Sequence, residues 1–165
     1  MAESFSFDVV SDFERQELVN TLDQVKREIS QRYDLKDTVT TVDLEKESIY
    51  ITTNSELTLN SVNDIIRQKA IKRNLSLKIF DYGEVEMVSG NKVRQIILLK
   101  QGIKQEIAKK ISKQIRDNIK KINVSINGET LRISSKSKND LQLAIKLVSD
   151  LEETLNLPLK ATNFR

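Results

Sequence analysis

Phe5, Phe7 and Val9 alternate with Ser6 and Asp8, the period of two that turns one face of a strand to a core and the other to water. The period then changes. Leu18, Leu22, Val25 and Ile29 recur at spacings of four, three and four, which predicts one apolar stripe of a helix with Asp12 as its N-cap. Val42 and Leu44, then Ile49 and Ile51, alternate again across the charged turn EKES and predict a hairpin. Leu59, Val62, Ile65, Ile66 and Ala70 return to helical spacing behind Asn54 or Ser55 as cap, and LKIF (77–80) closes the series as a strand.

The same order follows in the second half. RQIILL (94–99) is apolar on both faces, which predicts a central strand covered on both sides. Ile103, Ile107, Ile111, Ile115 and Ile119 predict a helix over 103–121. Ile122, Val124 and Ile126 pair with Leu131 and Ile133 around Asn127-Gly128, a dipeptide whose two positions both accept the positive φ of a tight hairpin turn. Leu141, Ala144, Ile145 and Val148 make the next helix. LPLKATNF (157–164) is the last strand, with Pro158 at its start, where a missing donor is tolerated. Without gaps, SIYITTNSELTLNSVNDII (48–66) lies on TLRISSKSKNDLQLAIKLV (130–148), and the same offset carries Val25 onto Ile107 and Val42 onto Val124. An internal duplication is the economical reading. Two copies of strand–helix–hairpin–helix–strand predict an α+β protein of two ferredoxin-like (βαββαβ) domains. That fold hosts enzymes, metal carriers and RNA readers, so it selects no function.

Composition narrows the choice by exclusion. With neither Cys nor His, the chain has no thiolate zinc site, disulfide framework, thiol nucleophile or Ser-His-Asp triad. Its four glycines are too scattered for a phosphate-binding loop, and no carboxylate pair stands out as a tuned acid and base. A non-enzymatic protein without metal or cofactor is expected. The longest apolar run, Ile96–Leu99, falls far short of the roughly 20 residues of a membrane helix, and MAESFSFDVV shows no basic leader before an apolar block. A cytoplasmic protein with no membrane partner follows. Charge is asymmetric: residues 1–83 carry 11 basic and 15 acidic groups, whereas residues 84–165 carry 16 and 9. The second half is the natural partner of an anion.

Four stretches carry candidate chemistry. In LLKQGIKQEIAKKISKQIRDNIKKI (98–122), Lys109, Lys110, Lys113, Arg116 and Lys120 surround the isoleucine stripe, either as a solvated face or as an electrostatic footprint for phosphate. At its start, Lys100, Gln101, Gly102 and Lys104 form either a bare turn or a cradle in which free helix N–H groups meet an anion. In SSKSKND (134–140), Ser137 reads as an N-cap, yet Lys136 and Lys138 sit beside a helix end that prefers acids, a conflict an anionic ligand would remove. Asn123, Ser125, Asn127, Arg132, Ser134, Lys160 and Thr162 share the sheet face away from the helices, and Phe164 has the same parity. That face is either solvated, packed, or a platform for a base, although the aromatic-rich pattern of RNA-recognition motifs is absent. Phe5 and Phe7 read as core, and RQKAIKR (67–73) as the cation-rich end of a helix.

SFDVVSD, TNSELTLNSVNDIIRQKAIKRN, LKQGIKQEIAKKISKQI, SSKSKNDLQ and the terminal NFR, in this order from Phe5 to Arg165, resemble the YajQ family of small bacterial proteins. The resemblance implies that the two domains exchange first strands. Residues 5–10 would complete the second domain (1–10 with 101–165), and residues 93–99 the first (11–100). It also implies nucleotide and nucleic-acid binding without catalysis, with cyclic di-GMP as the ligand of some members. Joined to the charge pattern, the expectation is a nucleotide (ATP, GTP or cyclic di-GMP) held by Lys100, Gln101, Gly102, Lys104, Arg132, Lys136, Lys138, Phe164 and Arg165. The alternative is RNA or DNA along Lys109, Lys110, Lys113, Arg116 and Lys120 and the polar sheet face; a protein partner is a third possibility.

Overall fold

The computed structural model describes residues 4–165. The first half runs β1 (Phe5–Val10), α1 (Arg15–Gln31), β2 (Thr41–Leu44), β3 (Ser48–Thr53), α2 (Glu56–Lys72), β4 (Phe80–Tyr82) and β5 (Glu86–Val88). The second runs β6 (Lys92–Leu99), α3 (Gln105–Asn118), β7 (Asn123–Asn127), β8 (Thr130–Ser135), α4 (Lys138–Leu155) and β9 (Lys160–Thr162). The chain folds as two compact units, Phe13–Lys100 and the segment ending at Asp12 together with Gln101–Arg165. Below, these are the N-terminal and C-terminal units.

Each unit is ferredoxin-like: an antiparallel sheet with two helices on one face. The N-terminal sheet has the order β2-β3-β6-β4, with β5 pairing the far end of β6; the C-terminal sheet has the order β7-β8-β1-β9. Each therefore takes a central strand from the other half of the sequence. Phe7 and Val9 of β1 pack with Ile111 and Ile115 of α3, Leu131 and Ile133 of β8, and Ala144 and Val148 of α4. In the N-terminal unit, Leu18, Leu22 and Val25 of α1 and Val62 and Ile66 of α2 cover Ile49, Ile51, Val93 and Ile97.

Ser55 and Ser137 cap α2 and α4, their hydroxyls accepting the N–H groups of Thr58 and Asp140. Elsewhere local chemistry departs from the expected pattern. Glu14, not Asp12, precedes α1 and makes no side-chain cap. LKIF begins as a 3-10 turn over Leu77–Ile79, because the Ser76 hydroxyl accepts the Lys78 N–H, and the strand starts only at Phe80. α3 is shorter than its isoleucine stripe: Ile103 donates its N–H to Glu129 O at 3.0 Å, and Ile119 is already extended, so Lys120 lies beyond the helix. The hairpin turn falls on Gly128 and Glu129, and only Gly128 takes positive φ, +62°. The last strand is cut to Lys160–Thr162 by the left-handed Asn163 at φ +55°.

β6 is central but not covered on both sides. Val93, Gln95 and Ile97 turn to the helices, which leaves Leu98 53% exposed on the outer face. Gln95 is buried because its amide is satisfied: it accepts from Asn63 Nδ2 at 2.9 Å and donates to Gly83 O at 2.9 Å. Gly83 itself donates to Ile96 O at 2.9 Å, an approach that a side chain would obstruct.

The units also redistribute charge. The N-terminal unit has 14 basic and 14 acidic residues, the C-terminal unit 13 and 10. The positive excess stays with the C-terminal unit. It is smaller than the halves of the sequence suggest, because Lys92, Arg94 and Lys100 go to one unit while Asp8 and Asp12 go to the other. Among the described residues, no helix is long and apolar enough to cross a membrane.

Candidate functional site

The C-terminal unit positions its candidate residues through a slip in one strand pairing. Asp8 stands opposite Thr162, yet Ser6 exchanges both backbone hydrogen bonds with Arg165, at 3.1 and 2.9 Å. Two steps along β1 thus match three along the terminal strand, a bulge made possible by Asn163 at φ +55°. The extra residue reverses the parity beyond it. Phe164, expected on the polar face, falls against Phe7 instead, with ring centroids 5.9 Å apart and planes inclined by 28°. Phe7 is wholly buried and Phe164 is 63% exposed, so one side of the outer ring rests on the core while the other is open.

Two residues back along β1, Phe5 carries the Lys138 ammonium 5.0 Å above its ring. Lys138 opens α4. Ser135 Oγ accepts the Ser137 N–H at 3.1 Å and Ser137 Oγ accepts the Asp140 N–H at 3.2 Å, while the N–H groups of Lys138 and Asn139 have no intrahelical acceptor. The aromatic face explains how a cation is tolerated at a positive helix end. Lys138 over Phe5 and Phe164 on Phe7 therefore lie on the same side of the sheet, with Lys136 exposed just before α4.

The remaining expected ligand residues lie elsewhere. Register sets Ser125, Arg132, Asp8 and Thr162 in one row across the opposite, polar face. There Arg132 donates to both oxygens of Asp8, at 3.0 and 3.4 Å, and Asn163 Nδ2 donates to Oδ2 at 2.8 Å. These bonds, Arg132 first and Asn163 second, hold the Asp8 carboxyl below its usual range, with Arg165 adding to the field. The Arg132 guanidinium is correspondingly raised. Asp8 was not singled out in the sequence. Its alternation with Phe7 and Val9 assigned the face but could not name a partner 124 residues away.

At the other end of β1, Gly102 adopts φ +82° and donates to Ser11 O at 2.6 Å. A Cβ at Gly102 would overlap the Glu129 carboxylate, which also stands 3.3 Å from Lys104 Nζ. The turn over Gln101–Lys104 thus holds one of the protein's own acids, and the N–H groups of Gly102 and Ile103 are spent on backbone carbonyls. Lys100 belongs to the N-terminal unit, where its N–H donates to Ile79 O at 2.8 Å.

Along α3, Lys109, Ser112, Lys113, Arg116, Asp117 and Ile126 line a groove of about 330 Å³. Arg116 donates to Val124 O at 3.1 Å, shielding the exposed edge of β7. Lys109 and Lys113 make no ion pair among the described residues. Ser112 is 3% exposed, and its Oγ has no hydrogen-bond partner among the described residues. Its only sequence signal is a small polar residue inside the apolar stripe, between Ile111 and Ile115. Lys110 is exposed outside the groove and Lys120 lies past the helix end. Among the described residues, no group of three or more acidic side chains is placed to hold a metal ion.

A family model described as nucleotide-binding protein YajQ-like matches residues 5–165. The chain belongs to that family. It is 88% identical, over the whole length of both chains, to a protein of Prochlorococcus marinus (strain MIT 9312) named as a nucleotide-binding protein. Proteins bearing the same name in P. marinus subsp. pastoris (strain CCMP1986 / NIES-2087 / MED4) and Synechococcus sp. (strain CC9605) are 77% and 58% identical, again over the whole of both chains.

Proposed function

We propose that this protein is a non-enzymatic, cytoplasmic nucleotide-binding protein whose ligand sits in the C-terminal unit. The base stacks on the open side of Phe164, while a phosphate is met by Lys136, Lys138 and the free N–H groups at the start of α4. The observation that carries this reading is Phe164 seated on Phe7 at 5.9 Å, on the same side of the sheet as Lys138 over Phe5. Cyclic di-GMP, ATP and GTP all offer a purine with phosphate and are the ligands to try first. Without Cys or His, and with Phe and Lys as its contacts, the site holds the nucleotide rather than transforming it. Calorimetry at moderate salt is expected to show saturable binding of at least one of the three, weakened about tenfold or more in Phe164→Ala and in Lys138→Ala. No heat with any of them sinks the proposal.

A second reading, RNA or DNA along α3, is favoured by the groove in which unpaired Lys109 and Lys113 flank the buried Ser112 hydroxyl. It predicts that log K falls linearly with log salt, the slope shrinking by about one unit for each phosphate-contacting lysine replaced by Ala. A flat salt response with tRNA or single-stranded DNA rejects it.

A further inference from the structure

The N-terminal unit carries a depression that the nucleotide reading leaves unused. It lies on the outer face of its sheet, measures about 610 Å³, and has Asp43, Glu45, Glu47, Ser48, Tyr50 and Arg94 in its lining. Strand register places Asp43 directly opposite Tyr50, and Thr52 opposite Arg94. Directly opposed residues have Cβ atoms about 5 Å apart, so the Tyr50 ring and the Asp43 carboxylate are neighbours on one surface. The turn bearing the two glutamates is held in place. Arg15 donates to the carbonyls of Lys46 and Glu45 at 2.6 Å each, Glu45 N–H donates to Ser48 O at 2.8 Å, and Leu99 N–H donates to Glu47 O at 2.9 Å.

Charge decides what fits. Asp43, Glu45 and Glu47 make no ion pair among the described residues, whereas Arg94 gives Nη2 to Glu86 at 3.1 Å and keeps its buried Nε without a hydrogen-bond partner among the described residues. Lys46, on the same turn, is the remaining cation of the lining. Ser48 is a separate pointer to a ligand. It is only 8% exposed, shares the outward parity of Tyr50, and its hydroxyl has no hydrogen-bond partner among the described residues. A phosphate entering here would meet three carboxylates. An alkylammonium group would meet the same carboxylates, the π face of Tyr50 and a lone pair of Ser48.

We propose that this depression binds a small organic cation bearing primary ammonium groups, either a free polyamine or the lysine side chain of a short peptide. Tyr50 takes the ammonium by a cation–π contact, Asp43 and the two glutamates balance its charge, and Ser48 accepts one N–H. The test is titration of the full chain at moderate salt with spermidine, trilysine, Mg²⁺ and GMP, following the NMR signals of Asp43, Ser48 and Tyr50. Spermidine is expected to saturate these signals, with affinity reduced about tenfold in Asp43→Asn and about threefold in Tyr50→Leu. The isosteric Asp43→Asn keeps the test valid if Tyr50→Leu disturbs the strand. Saturation by trilysine alone supports the proposal with a peptide as the source. The proposal is overturned if nothing saturates, if GMP alone does, if Mg²⁺ matches spermidine at equal charge, or if Asp43→Asn binds like wild type. Lys138→Ala, which strikes the nucleotide site, is expected to leave spermidine binding unchanged, so the two readings fail separately.

Discussion

β1 and β6 hold equivalent places in their sheets, each between the second hairpin strand and the closing strand, yet they bring different chemistry to them. β1 turns Phe5, Phe7 and Val9 inward and keeps its polar contacts on the outer face, where Asp8 ties Arg132 and Asn163. β6 turns an amide inward among Val93 and Ile97 and leaves Leu98 outside. An apolar strand gains from burial in almost any register that keeps its face inward. A strand with a buried amide is favoured only where that amide meets its partners. The C-terminal unit thus depends on bulk for its strand, the N-terminal unit on a match between Gln95, Asn63 and the Gly83 carbonyl.

This contrast can be broken by mutation. Phe7→Ala empties the centre of the C-terminal core and is expected to cost about 3–5 kcal/mol, seen first as lost amide-exchange protection in β1 and β8. Equal loss of protection in β3 and β6 would show that the two units do not respond separately. Gln95→Leu leaves the Asn63 amide without its acceptor in the N-terminal core, where Asn63 Oδ1 already has no partner among the described residues. About 2 kcal/mol of destabilisation is expected in denaturant melts, largely recovered in Gln95→Leu with Asn63→Leu. If the double variant is no better than the single, the amide match is not what the strand depends on.

The smallest effect expected is at Asp8, whose partner Arg132 is 42% exposed and screened by solvent. Asp8→Asn is expected to cost about 1 kcal/mol or less at neutral pH. Because the folded carboxyl is depressed, its contribution is complete above the unfolded value of 3.8 and disappears as pH falls through the lower folded value. Thermal melts should therefore converge for wild type and Asp8→Asn in acid; a constant gap would remove the ion pair as the cause.

Much of this fold is legible locally, and the rest is hidden for physical reasons. The stripe Leu18, Leu22, Val25 and Ile29 and the caps Ser55 and Ser137 need only their neighbours to act, and they stand where the periodicity puts them. Gln95 gave no sign of facing the core, because an amide is buried only if partners arrive from distant segments. Phe164 is subtler. Strict alternation assigns it to the polar face, and one left-handed Asn163 moves it onto Phe7, a reversal no hydrophobic pattern encodes. Lys104 and Gly102 read equally as a bare turn or an anion cradle, and the sequence gives no sign that Glu129, on a neighbouring turn, stands beside them. Ser112 was indistinguishable from any small polar residue until its burial beside Lys109 and Lys113 became visible.

Strand exchange also orders events in time. The N-terminal unit has all its described strands once residue 99 has been made, so it is free to fold while residues 100–165 are still being made on the ribosome. β1 leaves the exit tunnel ahead of β2 to β9, but its neighbours β8 and β9 follow only after the whole N-terminal unit, and Asp8 and Asn163 stand 155 residues apart. For most of synthesis, Phe5, Phe7 and Val9 must wait as an unpaired apolar strand. β1, made before the strands it pairs with, is thus among the last of the described strands to find its place.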